Sequence, residues 1–458
     1  MVWRSCHDWG MTAPVAVPLW LFILIIAFAV TSFASNFLFP SVRWFLRRRM
    51  ERALARLNQR LDRPLDLFKL AERQDRIARL VYDAKVLEAV GEHAAETGMP
   101  GSVAFEEARR YAREIVPGFS TTLYFGVAIR LARWLSRAFY RVRFGRIDMA
   151  LRGIDPKATV VFVMNHRSNM DYVLVTWLVA GRASISYAVG EWAHFWPMSG
   201  LIRAMGAYFI RRSSRNALYR RVLARYVQMA TAEGITQAIF PEGGLSLDGR
   251  VGAAKLGLLS YIMAGESTRD VVFVPVGLAY DRVLEDRILT DAAKAGNRRF
   301  RGKPLSIIGF TLTTLGRIVL RRFKGFGTAA AAFGVPVSLA AFRAAQPEAT
   351  AELLGQHLMQ AIGRVVPVVP VALVAAALRE TPASREGLLV VMVRLAAELV
   401  AVGAVLKLAP QGMPETLGEG LAALIARRLV AADLRVLPQG QAICDYYAAA
   451  ILQRLTAD

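Results

Sequence analysis

Short apolar runs alternate with helix-length segments through the middle of the chain. The runs cover residues 158–164, 185–189, 207–210, 237–240 and 271–276. Buried strands separated by helices are typical of an α/β domain with a largely parallel sheet. A further strand and turn over residues 328–341 are expected to close the sheet. We therefore predict an α/β domain over residues 146–345, in which helices flank a mainly parallel sheet and catalytic side chains gather at the carboxyl ends of the strands.

A long uncharged stretch precedes this domain. No charged side chain occurs between Trp9 and Val42, and Leu, Ile, Val, Phe and Ala dominate residues 15–38. About 20 such residues in a helix span the hydrocarbon core of a bilayer. A signal peptide is the alternative, but its apolar core is shorter, and arginines follow this stretch instead of a small-residue cleavage site. We predict a single transmembrane anchor, an N-terminal transmembrane helix within residues 1–42.

Arginines are distributed unevenly about the predicted anchor. Arg4 precedes it, whereas arginines follow it at positions 43, 47, 48, 49 and 52. Positively charged flanks favour the cytoplasmic side of a membrane. The expected location is therefore the inner (cytoplasmic) membrane, in a single-pass arrangement with the catalytic domain on the cytoplasmic side.

Helical accessory regions are predicted on both sides of the α/β domain. Residues 43–145 are expected to be mostly helical, with a clear break at residues 98–101. Within them, residues 124–143 carry arginines at helical spacing beside an apolar face, which is typical of a basic helix lying on a membrane surface. A surface helix docked on the protein core is the alternative. Residues 304–327 are a second candidate for such a membrane-surface element, and residues 346–458 are expected to be a helical region without a chemical site.

Composition bounds the partners of the chain. The 458 residues include 58 Lys and Arg against 36 Asp and Glu, a formal net charge of +22. Such an excess favours anionic partners: nucleic acid, anionic lipid head groups, or phosphorylated and CoA-type substrates. The sequence has no zinc-finger spacing, basic zipper or RNA-binding aromatic pattern, so nucleic acid is not expected. Cys6 and Cys444 are too few and too far apart to indicate a disulfide framework or a metal cluster.

The first apolar run ends at Met164, two residues before His166, and a carboxylate, Asp171, follows five residues after the histidine. On one continuous helix, residues five apart would point about 140° away from each other. If His166 lies in a loop, and Ser168 or Asn169 caps a helix over residues 170–180, then Asp171 falls in the first helical turn and can fold back onto the imidazole. Such a pair is a base held by an orienting acid, and the nucleophile would come from the substrate. A structural hydrogen bond is the alternative.

Later stretches also carry candidate chemistry. Arg211 and Arg212 follow a short run and are suited to bind a phosphate through fork geometry, and a solvated basic edge is the alternative. Glu242 precedes two glycines, which let the backbone approach a ligand while the carboxylate accepts from a polyol hydroxyl; here the alternative is a plain tight turn. A nucleophile elbow is excluded, because Asp248 stands where that motif requires glycine. Pro275, near the end of the last run, is a weak signal by itself.

In their order and spacing, these stretches resemble the glycerolipid acyltransferases that carry a His-x4-Asp motif. The likeness covers residues 165–280 and is nearest to the bacterial and mitochondrial glycerol-3-phosphate acyltransferases and their dihydroxyacetone-phosphate relatives. The positions that match the four family motifs are His166 and Asp171; Gly206, Phe209, Ile210 and Arg211; Pro241, Glu242 and Gly243; and Pro275.

The resemblance implies transfer of an acyl group from an acyl-CoA or acyl-carrier-protein thioester to a hydroxyl, with no metal and no further cofactor. It implies that His166 removes the proton of the acceptor hydroxyl and that Asp171 orients the ring. The remaining site residues divide into an acceptor- and phosphate-binding group, Arg211, Arg212, Glu242, Gly243, Ser246 and Arg250, and a donor or pocket group, Asn165 and Pro275.

One departure from the family concerns the acceptor. Members that use glycerol 3-phosphate commonly carry arginine where this chain has Leu245 and Leu247. The principal expectation is a membrane-bound enzyme of phospholipid synthesis that acylates the 1-hydroxyl of sn-glycerol 3-phosphate to give lysophosphatidic acid. The alternatives are the same chemistry on lysophosphatidate or dihydroxyacetone phosphate, and a non-catalytic membrane lipid-binding or scaffold protein. The expected partners are the acyl donor, the glycerolipid acceptor and an anionic membrane.

Overall fold

Two compact units make up the chain, Met1–Pro64 and Leu65–Asp458. The computed structural model describes residues 18–33, 70, 72–145, 150–180, 182–190, 198–211, 214, 216–296, 323, 325–382 and 384–456. In the first unit, helix α1 spans Leu19–Phe33. Across the described ranges, no helix combines the length and the apolarity that crossing a bilayer requires. The predicted anchor also includes residues 15–17 and 34–38, which lie outside the described residues, and it stays a prediction.

A mostly parallel sheet forms the centre of the second unit. Its strands among the described residues are β1 Arg141–Phe144, β2 Thr159–Met164, β3 Ser186–Gly190, β4 Tyr208–Ile210, β5 Gln237–Ile239, β6 Val271–Tyr280, β7 Thr328–Phe333 and β8 Val337–Ser338. Their order is β1-β7-β6-β2-β5-β3-β4, with β8 paired to β6. Strand β6 runs antiparallel to β7 and β8, and the other pairs are parallel. The predicted α/β fold with a mainly parallel sheet is confirmed.

Helices flank the sheet and build the regions on either side of it. Their bounds are α2 Arg73–Val81, α3 Ala84–Thr97, α4 Gly101–Ile115, α5 Ile129–Phe139, α6 Met170–Val179, α7 Met198–Ala204, α8 Ala217–Ala232, α9 Gly257–Met263, α10 Asp286–Lys294, α11 Leu339–Ala345, α12 Ala351–Val365, α13 Pro370–Ala377, α14 Arg385–Ala401, α15 Met413–Ala426 and α16 Gln441–Leu452. Residues 43–69 and 301–322, over which further segments are predicted, lie outside the described residues.

Strand β2 lies at the centre of the sheet and carries the chain to the candidate site. All of its residues are buried. It pairs in parallel with β5 on one side and with β6 on the other. A strand covered on both faces of its sheet needs a continuous apolar sequence rather than an alternating one, which explains the unbroken run of Val, Phe and Met before Asn165 and His166.

The basic helix predicted over residues 124–143 is shorter in the structure. A π-helical turn spans Thr122–Ala128, α5 ends at Phe139, and Tyr140 takes an extended backbone with φ −136° and ψ 152°. Arg141 and Arg143 therefore lie in β1, where both reach Glu419. Strand β1 pairs only with β7 in the described sheet, and charged side chains are common on such edge strands. The prediction that Arg141 belongs to the helix is wrong.

The C-terminal helices share one hydrophobic core with the sheet. Helix α13 is buried along its whole length. At the end of β6, the Asp281 carboxylate accepts hydrogen bonds from the Val371 N–H at 2.8 Å and the Thr328 N–H at 2.6 Å. Burial raises the pKa of Asp281 to about 6, although both N–H donors favour its ionised form. A Cβ at Gly277 would lie 2.3 Å from the Val365 carbonyl oxygen, so this region packs closely against the strand that borders the site.

Candidate active site

His166 lies in the loop between β2 and α6, at the carboxyl end of the central strand. Its side chain is buried, and its Nδ1 lies 2.9 Å from Oδ2 of Asp171 in the first turn of α6. Because a carboxylate only accepts hydrogen bonds, Nδ1 carries the hydrogen and Nε2 is the nitrogen that can take up a proton. The turn that the sequence predicts between these two side chains is present in the structure.

The Asp171 carboxylate collects four hydrogen bonds. In addition to the imidazole, Oδ2 accepts from the Arg167 N–H at 2.7 Å and the Ser168 N–H at 3.1 Å. Oδ1 accepts from the Tyr280 hydroxyl at 2.7 Å. Burial and the neighbouring charge of Asp171 raise the pKa of Tyr280 well above its ordinary value, so the hydroxyl keeps its proton and acts as a donor. The four donors therefore fix the Asp171 side chain in position.

The start of α6 is held by a second carboxylate, Glu285. The Ser168 hydroxyl donates to Glu285 Oε2 at 2.8 Å, and the Asn169 N–H donates to Oε1 at 3.1 Å. Burial raises the pKa of Glu285, whereas the bonds from Ser168 and Asn169 lower it. Of the two predicted caps, Ser168 accepts from the Met170 N–H at 3.2 Å, while the side chain of Asn169 turns to Glu285 at 3.0 Å.

Glu242 connects the loop after β5 to the histidine loop. Its Oε1 accepts from the His166 N–H at 3.0 Å, and its Oε2 accepts from the Gly252 N–H at 3.3 Å. Burial raises the pKa of Glu242, and the positive charge of Arg167 is the largest influence in the opposite direction. Glu242 therefore fixes the backbone that carries the base. A contact of its carboxylate with an acceptor hydroxyl stays a prediction.

Aromatic rings enclose the imidazole. Phe240 stacks on His166 with ring centroids 4.0 Å apart at an angle of 25°, and Tyr172 meets the ring edge-on at 5.6 Å. Stacking on Phe240 and the contact with Tyr172, which also packs against Phe240 with ring centroids 5.0 Å apart, restrict rotation of the imidazole.

The loop after Glu242 is held by its own side chains. Gly243 has φ 67°, and a Cβ there would lie 2.7 Å from Lys255 Cγ, so the turn requires glycine. The Ser246 N–H donates to the His166 carbonyl at 2.9 Å, and the Ser246 hydroxyl donates to the Arg250 carbonyl at 2.8 Å. The Arg250 side chain is exposed. Ser246 thus fixes the loop against the base, and the predicted contacts of Gly243, Ser246 and Arg250 with the acceptor are untested.

Arg211 stands apart from these residues. It follows β4, which is separated from β2 by three strand spacings, or about 14 Å. Its guanidinium makes a two-bond contact with Glu114 of α4, at 2.8 and 2.6 Å. Arg211 therefore connects the sheet edge to α4, and its predicted phosphate contact stays a prediction. Arg212 lies outside the described residues.

Of the two residues assigned to the donor pocket, Asn165 follows β2 and bonds to β6, and Pro275 lies within β6. The Asn165 amide donates to the Leu278 carbonyl at 2.9 Å and accepts from the Leu278 N–H at 2.8 Å. Pro275 lies inside β6, opposite Val163, and not at the strand end as predicted, because β6 continues to Tyr280. On that side of β6, residues 272–273 pair with β8 and residues 276–280 pair with β7. Pro275 lies in the gap between these two pairings, where a residue without an N–H group is tolerated.

Three residues of the site are missed by sequence reasoning: Arg167, Tyr280 and Glu285. Tyr280 and Glu285 are separated from the histidine loop by more than a hundred residues, so no local spacing connects them. One signal could have found them, since both come at the end of the strand parallel to β2, and the carboxyl ends of parallel strands share one edge of a sheet.

The site provides a histidine base, a carboxylate (Asp171) whose two oxygens already accept hydrogen bonds, and aromatic side chains packed against the imidazole. Such a pair can take a proton from a hydroxyl group. In the part of the chain that the structure describes, no group of three or more His, Cys, Asp or Glu side chains is placed to hold a metal ion.

Comparison with known proteins identifies the segment that carries these residues. The acyltransferase family model matches residues 146–279. His166, Asp171 and Glu242 all lie within the segment that resembles this family.

Named relatives are similar to a longer part of the chain than the family model covers. The glycerol-3-phosphate acyltransferase of Pseudomonas putida (strain W619) is 28% identical over 335 residues, which are 68% of this chain and 39% of the relative. The protein of the same name from Shewanella loihica is 29% identical over 308 residues, 66% of this chain and 37% of the relative. The chain thus spans about two fifths of the length of the curated relatives it matches. The predicted resemblance to glycerol-3-phosphate acyltransferases is confirmed.

A solved structure also resembles the chain. The 1-acyl-sn-glycerophosphate acyltransferase PlsC from Thermotoga maritima aligns with 63% of this chain and 94% of its own length, at 19% identity and a TM-score of 0.33. A similarity at this level adds no weight to the argument for fold or function, which stands on the site geometry and the family match.

Proposed function

We propose that the protein transfers a fatty acyl group from an acyl thioester to the 1-hydroxyl of sn-glycerol 3-phosphate. The observation that carries this proposal is the 2.9 Å contact between His166 Nδ1 and Asp171 Oδ2 at the end of the central strand. A buried base oriented by a carboxylate is suited to activate a hydroxyl, and no side chain of the chain is needed as nucleophile. The relatives named for this reaction support the choice of acceptor.

In the proposed reaction, Nε2 of His166 takes the proton of the acceptor hydroxyl as its oxygen attacks the thioester carbonyl carbon. Asp171 stabilises the imidazolium that forms. Collapse of the tetrahedral intermediate breaks the carbon–sulfur bond, and the imidazolium returns the proton to the departing thiolate. The donor is an acyl-CoA or an acyl-carrier protein. The reaction needs neither a metal nor a further cofactor.

We place the reaction at the cytoplasmic face of the inner membrane. The uncharged stretch 15–38 would anchor the chain, and the excess of positive charge would attract an anionic lipid surface and the acidic donor. An acylated product with one long chain belongs in the bilayer, which supports this location.

A second acceptor deserves a direct test because of two residues. Leu245 and Leu247 stand where relatives that use glycerol 3-phosphate commonly carry arginine, so these positions offer the acceptor phosphate no charge. Both side chains are half-buried and pack against the main hydrophobic core. Lysophosphatidate or dihydroxyacetone phosphate could then replace glycerol 3-phosphate as the acceptor. A protein that binds lipid without turnover is the remaining alternative.

The experiment that tests the function measures acyl transfer by the detergent-purified full chain. Labelled acyl-CoA and acyl-carrier protein serve as donors, the three acceptors are compared in parallel, and His166→Ala is the control. Lysophosphatidic acid formed from glycerol 3-phosphate and lost in the variant is the expected result. Turnover that survives His166→Ala would refute the mechanism, and turnover with lysophosphatidate alone would replace the acceptor.

A further inference from the structure

Buried polar atoms without a hydrogen-bond partner gather where the histidine loop meets α16. They are Nη2 of Arg167, Nε and Nη1 of Arg454, and the hydroxyl of Tyr446, none of which makes a hydrogen bond of ordinary geometry within the described residues. Arg167 does interact with the Tyr446 hydroxyl, whereas Nε and Nη1 of Arg454 have no such neighbour in the part of the chain that the structure describes. Buried polar groups in folded proteins are nearly always hydrogen-bonded, so several exceptions in one place point to a bound group that they contact.

Several contacts bring these side chains to one place. Nη1 of Arg167 donates to the Gly249 carbonyl, and a Cβ at Gly249 would lie 1.8 Å from the Tyr446 carbonyl oxygen. The Val251 N–H donates to the Gln453 side chain at 3.0 Å, directly before Arg454. Arg454 itself donates through Nη2 to a backbone carbonyl. The cluster therefore lies between the histidine loop, the 246–252 loop and the end of α16.

The cluster contains two arginines. Burial and repulsion by Arg167 together lower the pKa of Arg454 to about 10, so its guanidinium remains protonated at neutral pH. Glu242 is the carboxylate that interacts with Arg167, and its two oxygens already accept backbone N–H groups. Nearby Asp286 is bound by Arg427 at 2.6 Å. Burying cations without full compensation is costly, and a bound anion would offset that cost.

We propose that Arg167, Arg454 and the Tyr446 hydroxyl form a subsite for a phosphate group, and that this phosphate belongs to the glycerolipid acceptor. Guanidinium groups match phosphate oxygens with paired donors, and a tyrosine hydroxyl adds a further donor. Arg167 directly follows His166, and its guanidinium bonds to the same 246–252 loop that Ser246 ties to the His166 carbonyl. It provides the charge that Leu245 and Leu247 lack. The phosphate subsite stands on the geometry, whereas its assignment to the acceptor rests on the proposed function.

Binding of inorganic phosphate to the full chain in detergent tests the subsite without any turnover. The melting temperature is measured against phosphate concentration at constant ionic strength, for the parent, Arg454→Gln, Arg454→Lys and Arg343→Gln. Arg343 is a matched control, since it also donates to one backbone carbonyl, that of Met263, and its loss changes the net charge equally. A ligand that binds only the folded protein raises the melting temperature.

The expected result separates a binding role from a structural one. Without phosphate, Arg454→Gln should melt no lower than the parent, because it removes an uncompensated buried charge. Phosphate should stabilise the parent and Arg343→Gln, and Arg454→Gln should need at least about tenfold more phosphate for the same shift. Arg454→Lys should fall between them. Equal stabilisation of all four proteins, or none of any, would overturn the subsite and leave ordered water as the occupant of the cluster.

The source of the phosphate is decided by comparing ligands. Protection by sn-glycerol 3-phosphate, dependent on Arg454, together with a KM for that acceptor raised at least about tenfold and an unchanged KM for acyl-CoA, supports the acceptor assignment. Arg454-dependent protection by coenzyme A alone would overturn that assignment and give the phosphate to the donor. If no acceptor is acylated but phosphate still protects through Arg454, the proposed function falls and the subsite stands.

Discussion

Asp171→Asn tests the site most directly, because asparagine keeps the shape of the side chain and removes its charge. Oδ2 faces three donors: the Nδ1–H of His166 and the N–H groups of Arg167 and Ser168. The carbonyl oxygen of asparagine, and not its NH2 group, should therefore occupy this position. The NH2 group then faces the Tyr280 hydroxyl, which can accept a hydrogen bond. We expect the variant to fold and to keep the same imidazole tautomer.

The expected loss of activity follows from the missing charge. A hydrogen bond to an ionised group contributes about 1.5–3 kcal/mol and a neutral one about half of that. Asp171 is fully buried, so its interaction with the imidazolium of the transition state belongs at the upper end of this range. Replacing this bond by a neutral one loses about 1.5 kcal/mol of transition-state stabilisation, which lowers kcat about tenfold. A reversed amide, which would impose the wrong tautomer, costs about 10⁴-fold in serine proteases.

The assay is the initial rate of acyl transfer at saturating acceptor and donor. Asp281→Asn is the control, because Asp281 is also a buried carboxylate that accepts two backbone N–H groups but does not contact His166. Its kcat should stay within about twofold of the parent value. A kcat of Asp171→Asn equal to that of the control would refute the orienting role of Asp171. A fall near 10⁴-fold would refute the argument that two backbone donors fix the carbonyl oxygen.

Three further predictions address the surroundings of the site. Burial raises the pKa of Asp281 to about 6, so the folded chain binds this proton more tightly than the unfolded one. The contribution of Asp281 to the free energy of unfolding is complete below about pH 4 and falls by about 3 kcal/mol as the pH rises through 6. Urea titrations over this range should show the difference in unfolding free energy between the parent and Asp281→Asn change by that amount. A difference that stays constant with pH would contradict the raised pKa. Gly249 and Gly153 have φ 83° and 84°, but a Cβ at Gly153 meets nothing within 4 Å, whereas one at Gly249 overlaps the backbone of α16. Gly249→Ala should therefore lose at least about 2 kcal/mol more unfolding free energy than Gly153→Ala, and equal losses would disprove the close contact. For Glu114 and Arg211, a double-mutant cycle with glutamine should give a coupling of about 1 kcal/mol or less, because the pair is partly exposed; a raised KM for the acceptor in Arg211→Gln alone would instead assign Arg211 to the acceptor.

A strand could be predicted from sequence where burial on both faces gives it a continuous apolar run. Strand β2 is apolar throughout because both of its faces are covered, and its predicted run begins only one residue early. Strand β1 could not be predicted in this way. Arg141 continues the helical spacing of Arg133 and Arg137, and only the pairing with β7, far along the chain, selects the strand. Strand β7 also pairs with β6, and this antiparallel pairing extends β6 beyond its predicted end to Tyr280.

The site divides along a similar line. The contact between His166 and Asp171 was predictable, because a short turn connects two residues whose chemistry is recognisable. The contacts of Glu285 and Arg454 were not, since they depend on how segments more than a hundred residues away pack against the loop. Residues 346–458 carry no recognisable motif, and their contribution to the site appears only once α16 lies against the loop that follows Glu242.

The charges around the base connect these distant segments to the chemistry. The N–H groups of four consecutive residues, 166–169, all donate to the buried carboxylates Glu242, Asp171 and Glu285. Three negative charges beside the imidazole hold its loop rigid and favour the imidazolium of the transition state. They also repel the phosphate of an acceptor. An enzyme that brings a phosphate ester to such a base needs cations close to it, and Arg167 and Arg454 are the buried guanidinium groups with donors to spare at this junction. In the proposed site, the helices after residue 346 complete the acceptor pocket, with Arg454, which follows α16, binding the phosphate while His166 takes the proton.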